Sequence, residues 1–307
     1  MRAPAALEEI SAHFNGRRCG DGFIIECPSG LHQRRIRRAK LWEDSDGTRR
    51  VWCYACGSSR PPLEGLRAAG LPIDSGERKP LDPIVMEIAR LRRGRDEAER
   101  RNAALQIWER SVPLKGTRGL AYIEARGIQF EKIPSSLRYR PALKHSACGC
   151  THPAIVALVV GSAGRAMGIT RIFLSRDGTG KAECGDRVKM ALGPIMGGAV
   201  RLAPAAQKVV IAEGVESAAS AGELLRLPAW AALSARGIER IELPDLVEHV
   251  VIFADRDRAG MDAARNASVR FQREGREVSI ALADEPFGDA NDELMARRAE
   301  SVAAGIA

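Results

Sequence analysis

The C-terminal third of the chain alternates short β-branched runs with stretches of helical spacing. Lys208-Val-Val-Ile-Ala212, Ala229-Trp-Ala-Ala-Leu233, His249-Val-Val-Ile-Phe-Ala254 and Glu277–Leu282 read as strands. Between them Glu216–Leu225 and Arg258–Glu274 read as helices, the second closed by Gly275 at its C′ position. Gly288-Asp289-Ala290-Asn291-Asp292 leads into a terminal helix, with Asn291 or Asp292 as its cap. Strand–helix alternation from about Gly116 onward marks an α/β domain. Upstream, Ile84, Ile88, Leu91, Leu105 and Trp108 give an Arg/Glu-rich helical connector over Leu81 to Arg110. Residues 1 to 75 differ again: rich in Cys, Arg and turn residues, they form a hairpin turning at Asp46-Gly47. Ile36 and Leu41-Trp42 lie on one side of that hairpin, and Val51-Trp52 leads out of it. The expected division is a small module at 1–75, a connector at 76–112, an α+β segment at 113–203 and an α/β domain at 204–307.

Composition narrows the function classes. The 307 residues suffice for two or three domains, and the net charge of +8 favours a polyanionic partner without specifying a fold. No run approaches the roughly 18 apolar residues of a membrane span, and Met1 to Gly20 lacks a signal-peptide pattern. The chain is therefore expected in the cytoplasm, away from membranes. Its seven cysteines are odd in number and unevenly spaced, which favours metal binding or free thiols over disulfides. A Gly-x-x-x-x-Gly-Lys-Ser/Thr loop is missing, so the sequence shows no fused P-loop helicase or ATPase.

Cys27, His32, Cys53 and Cys56 form a Cys-x4-His…Cys-x2-Cys set. Two close pairs joined by a hairpin supply the four ligands a tetrahedral Zn²⁺ needs. A module this small has little core, so a bound metal supplies folding energy. Cys19 is a possible substitute ligand. Arg34, Arg35, Arg37, Arg38 and Lys40 sit between the pairs, with Trp42, Trp52 and Tyr54 nearby. Phosphate-seeking charge beside stacking surfaces suits single-stranded DNA. Cys148, Cys150 and His152 are tightly spaced with no evident fourth ligand, and read as a loop with incidental cysteines.

The most specific pattern is a set of carboxylates after strands. Glu213 follows the strand at 208–212, and Asp255 and Asp257 follow the strand at 249–254. Sites in open parallel sheets form beyond the carboxyl ends of strands, which gathers these acids at one rim. The two Asp residues, two apart in extended chain, point to one face. Acids so close repel unless a cation neutralises them, and an all-oxygen ligand set favours Mg²⁺ or Mn²⁺.

Two resemblances follow from these residues. Cys27-Pro28, His32 and Trp52-Cys53-Tyr54-Ala55-Cys56-Gly57 resemble the zinc ribbon of bacterial and phage primases, with four residues between Cys27 and His32 where that family usually has two. Glu213-Gly214, Phe253-Ala-Asp255-Arg-Asp257-Arg-Ala-Gly260 and Asp289-Ala-Asn-Asp292 resemble the Toprim fold of bacterial-type primases, topoisomerases and some nucleases. The last string is most similar to primases of phages, plasmids and integrated elements. The implied architecture is a Toprim-type, Rossmann-like α/β sheet, preceded by an α+β primase-core segment and a zinc ribbon. The resemblance also implies secondary metal or nucleotide contacts at Asp289 and Asp292. It further implies a basic ridge for template and nucleotide phosphates, for which Arg171, Lys181 and Lys189 are the candidates. Glu216 lies near a second acid of many primases, at a different offset.

The activity so implied is DNA primase: metal-dependent nucleotidyl transfer that builds primers on a single-stranded DNA template from nucleoside triphosphates, beside a separately encoded helicase. Asp255 and Asp257 are expected to bind metal, and Glu213 to bind metal or act as acid/base. The competing readings are a Toprim nuclease and a non-catalytic replication adaptor.

Overall fold

The computed structural model describes residues 6–30, 38–44, 47–71, 73, 83–184 and 187–303. His32, Arg34, Arg35, Ile36, Arg37 and Asp46 lie outside them. The chain forms two compact units, Met1–Leu91 and Arg92–Ala307.

In the first unit, strands β1 (Arg17–Cys19), β2 (Gly22–Glu26), β3 (Arg38–Glu43) and β4 (Arg49–Cys53) form an antiparallel sheet in sequence order. Helices α1 (Leu7–His13) and α2 (Arg60–Ala68) accompany them. Period-two alternation splits the sheet into two faces. Ile25, Ala39, Leu41, Val51 and Cys53 are buried with Ile10 of α1 and Leu66 of α2. The opposite face carries Arg38, Lys40, Trp42, Arg50 and Trp52, cross-paired as Lys40 with Trp52 and Trp42 with Arg50. Leu41 and Trp42, expected on one side, thus point oppositely because a strand turns each successive side chain over. The β3–β4 turn closes as expected at Gly47, whose N–H bonds to the Asp44 carbonyl at 2.9 Å.

Helix α3 (Pro83–Glu109) contains the division between the units. In the second unit its last turns bury Ala104 against Val156 and Ile169, with Ile107 and Trp108 packed alongside. Strands β5 (Val112–Pro113), β6 (Leu137–Lys144), β7 (Thr151–Val160), β8 (Ala166–Phe173) and β9 (Lys189–Leu192) form an antiparallel meander, and α4 (Arg118–Ala125) packs on it. A bridge between Val160 and Ala199 leads into β10 (Val200–Arg201).

The remaining elements alternate: β11 (Lys208–Ala212), α5 (Val215–Leu225), β12 (Ala229–Ala231), α6 (Ala235–Arg240), β13 (His249–Phe253), α7 (Arg258–Arg273), β14 (Glu277–Ala281) and α8 (Ala290–Ala303). Their sheet runs β10-β12-β11-β13-β14, parallel except at β10. Strand β12 ends at Ala231, two residues short of the run read as strand, and helix α6, absent from the sequence expectation, follows from Ala235. Ser234 caps it, its side chain accepting from the Gly237 N–H. Alternate strand residues serve separate cores. Val209, Ile211, Val250 and Ile252 pack with Ile238, Ala264 and Phe271 of α6 and α7. Val210, Ala212, Val251 and Phe253 pack with Ala218 of α5, Leu294 of α8 and the meander's Tyr139 and Ile155. A sheet covered on both faces requires such apolar runs.

Candidate metal and nucleotide site

From β11 the chain crosses to β12 on one side and later to β13 on the other, so the strand order reverses between β11 and β13. Crevices for ligands open at such a switch point. Glu213 leaves β11 there and Asp255 leaves β13. The two strands are paired in register, with Ile211 opposite Ile252.

Local sequence sets the rest of the rim. Asp257 caps α7, its carboxylate accepting from the Gly260 N–H at 2.7 Å. Gly260 is required for space: a Cβ there would lie 2.7 Å from the Asp255 carbonyl oxygen. Arg256, between the two acids, points elsewhere and donates to the Ala283 carbonyl at 2.7 and 3.0 Å, while its N–H bonds to the Gly288 carbonyl. These bonds latch the loop that delivers Asp289. Asp289 itself accepts from the Asn291 and Asp292 N–H groups at 2.8 and 2.9 Å. The cap of α8 is therefore Asp289, not Asn291 or Asp292, because its side chain reaches back over the first turn. Asn291 is buried instead, donating to the Arg126 carbonyl and to Ser220. Asp292 stays exposed.

Burial and then the charges of Glu213, Asp289 and Asp257 push the Asp255 carboxyl up from 3.8 to about 6. Burial, followed by Asp257, likewise raises Glu213. One carboxylate oxygen of Asp255 is buried and has no hydrogen-bond partner. A half-buried acid with an orphaned oxygen amid other acids fits a cation, which would satisfy the oxygen and remove the repulsion. Among the described residues, the only sets of three or more ligand atoms all within 4.8 Å of one another contain cysteines, so no three of the acids converge that closely. Such spacing suits a hard ion that keeps some of its waters.

Lys189 on β9 and Lys181 in the preceding loop reach the same crevice. Glu216, only 3% exposed, accepts from Lys189 at 2.9 Å and from the buried Tyr122 hydroxyl at 3.1 Å, with Lys181 at 3.9 Å. Burial alone would raise Glu216, but the charge and hydrogen bond of Lys189 outweigh it and leave the carboxyl low. Glu216 is thus the organiser of the two lysines, a role that sequence left unassigned. Its legible signal was an acid three residues beyond Glu213 on the next helix; its partners come from strands and helices far away in sequence. Arg171 does not join the ridge. It is buried, donates to the Met190 and Ala191 carbonyls and stacks over Phe173, so it binds β9 to β8.

Replacing Glu216 with Gln should lower stability by about 1.5–3 kcal/mol, the usual worth of hydrogen bonds to charged groups. The lysines would then lose their buried anion. Urea unfolding checks this; an unchanged midpoint would remove Glu216 as their anchor.

In the first unit Cys27, Cys53 and Cys56 converge, their sulfurs all within 4.8 Å. The Cys56 N–H donates to the Cys53 sulfur at 3.3 Å, and Cys27 lies 3.9 Å from Cys56. Burial pushes the Cys27 thiol up to about 11. Burial acts the same way on Cys53, but bonds from the Cys56 N–H and the neighbouring thiols hold it low. Three converging sulfurs, one favouring the thiolate, are a donor set suited to zinc. Cys19 is exposed on β1, outside this cluster.

Residues 98–202 match a domain of unknown function, DUF7146, and residues 208–300 match the Toprim domain. The C-terminal part of the chain is a Toprim domain. No curated protein matches the chain. Among solved structures it is similar to the zinc-binding and RNA polymerase domains of the Aquifex aeolicus primase, with 16% identity, coverage of 98% of this chain and 82% of that one, and a TM-score of 0.44. It is similar also to the primase fragment of the bacteriophage T7 primase-helicase protein, with 15% identity, coverage of 87% and 92%, and a TM-score of 0.43. No helix among the described residues is long and apolar enough to cross a membrane.

Proposed function

We propose that this chain is a DNA primase that joins nucleotides on a single-stranded template at the Glu213/Asp255/Asp257 rim. The observation that carries the reading is the charge layout of the crevice. An acid with an orphaned oxygen, Asp255, lies at the switch point beside Glu213 and Asp289, and two lysines held by a buried glutamate share the crevice. Glu213, Asp255 and Asp257 would hold Mg²⁺ or Mn²⁺, with Asp289 in support and Asp292 at the margin. Such an ion, when bound, neutralises phosphate charge and favours attack of a hydroxyl on phosphorus. Lys181 and Lys189 bind the phosphates of the incoming nucleoside triphosphate, and Glu216 keeps their ammonium groups in place. Burial and repulsion by neighbouring acids hold the Asp255 carboxyl up at about 6 in the cation-free site, and a bound cation would lower it.

The N-terminal unit supplies the template grip in this reading. Lys40 lies 5.4 Å from the Trp42 ring centroid, and Trp52 is 40% exposed on the same face. Bases stack on such rings while the cations hold phosphates. Arg34, Arg35 and Arg37 belong to the same stretch of sequence as Arg38. Neutralising all four should weaken single-stranded DNA binding and flatten its salt dependence, because fewer counterions are released. Fluorescence anisotropy across a salt series reads both; unchanged affinity and slope would remove this segment from the interface. A separately encoded helicase is the expected partner.

The deciding experiment is incubation of the full chain with single-stranded DNA, nucleoside triphosphates and Mg²⁺, followed by product sizing. New short products that require all three components support the primase. Shortened template with no nucleotide incorporation would replace it with a nuclease acting at the same site.

A further inference from the structure

The β6–β7 hairpin ends in Cys148-Gly-Cys150-Thr-His152, a segment that sequence spacing left as a loop with incidental cysteines. The fold gathers it: the two sulfurs and an imidazole nitrogen all lie within 4.8 Å of one another. The Cys148 sulfur is 3.8 Å from His152 Nε2. Four ligands about 2.3 Å from zinc stand about 3.8 Å apart in a tetrahedron, so this spacing is a tetrahedral edge.

The backbone holds the segment in that shape. Gly149 has φ +75°, and its N–H bonds to the His145 carbonyl at 2.9 Å. The His145 N–H bonds to the Cys150 carbonyl at 2.8 Å. The His145 ring is fully buried, and its Nδ1 accepts from the Cys148 N–H at 3.1 Å. The ring proton therefore sits on Nε2, which donates to the Arg187 carbonyl at 2.8 Å. One buried imidazole thus fixes Cys148 and ties the hairpin tip to the segment that runs from Lys181 to Lys189.

That segment carries a further soft ligand. Cys184 is half-buried beside Phe173 and Ala182. Phe173 of that cluster also meets the His152 ring, their centroids 6.4 Å apart, which puts Cys184 and His152 in one neighbourhood.

We infer that Cys148, Cys150, His152 and Cys184 form a second zinc site, distinct from the cysteine cluster of the N-terminal unit. Cys148, Cys150 and His152 already converge, and Cys184, outside that group, would close the tetrahedron by moving in from the neighbouring segment; a site so closed has a structural role. The metal cross-links the hairpin tip to the segment between Lys181 and strand β9 and steadies the two lysines that meet Glu216.

Zinc content of the full chain, purified without chelator and measured by mass spectrometry of the metal, tests this. Two zinc ions per chain are expected, falling to one in the Cys148→Ser/Cys150→Ser variant and to one in Cys53→Ser. Cobalt replacement in Cys53→Ser should give the intense near-ultraviolet band of thiolate-to-cobalt charge transfer. Because Cys53→Ser keeps all four proposed ligands, it tests the site even if the double variant fails to fold. A Cys53→Ser chain without zinc, or a folded double variant that keeps the wild-type content, would overturn the proposal. A Cys148–Cys150 disulfide in freshly purified, zinc-free protein would do so as well. The zinc readout does not depend on primer synthesis, so failure of either reading leaves the other standing.

Discussion

Asp255→Asn should reduce nucleotide incorporation by about 10² to 10³-fold, the usual loss when one preorganised electrostatic group is removed from a site. The substitution keeps volume and shape but deletes the anion whose buried oxygen has no protein partner. Without added cation the variant should be more stable than the parent at neutral pH. The sign follows from the raised carboxyl. An Asp that ionises at 3.8 when unfolded and at about 6 when folded binds more protons in the native state between those values. Stability therefore falls as pH rises from about 4 to about 6 and stays at the lower level above. Asn cannot ionise, so the variant should lack that decline. Melting temperature across pH 4–7 in chelator, together with primer assays, checks both halves. Wild-type incorporation by the variant would displace the catalytic centre from this rim.

Cys53→Ser should remove one zinc ion and unfold the N-terminal unit while leaving the Toprim domain intact. The unit's buried set is short, built around Ile10, Ile25, Leu41, Val51 and Leu66. Structural zinc contributes about 10–16 kcal/mol in small modules, more than so small a core supplies. Cys53 is fully buried, and its sulfur accepts from the Cys56 N–H, so serine loses both the soft ligand and the contact. Hydrogen exchange should show lost protection across β2 to β4 and unchanged protection in β11 and β13. A variant that retains its zinc and its protection would show that the cysteine cluster is not a metal site.

Sequence by itself determined the elements that carry chemistry. The runs at 208–212 and 249–253 are strands, and the acids follow them, because β-branched residues buried on both faces leave no other placement. The Cys53-x-x-Cys56 pair and Cys27 were legible because ligand spacing is a local property, and they do meet. Arg258–Arg273 was legible down to Gly275, whose φ of +83° closes it.

Only the tertiary structure decided what those residues face. Arg171, Lys181 and Lys189 look alike in sequence, each a cation near a strand. The fold buries Arg171 against carbonyls of β9 and turns the two lysines toward Glu216. Glu216 and Tyr122 are separated by 94 residues and meet only because α4 and α5 share one core. Asp289 took the capping role from its neighbours because Arg256 latches its loop to the strand end. His145 and Arg187 stand 42 residues apart, and the buried bond between them alone ties the Cys148 hairpin to the segment that carries Cys184. Ligand spacing within a few residues is set by local backbone geometry, whereas partnerships across many tens of residues depend on how the sheets and helices pack.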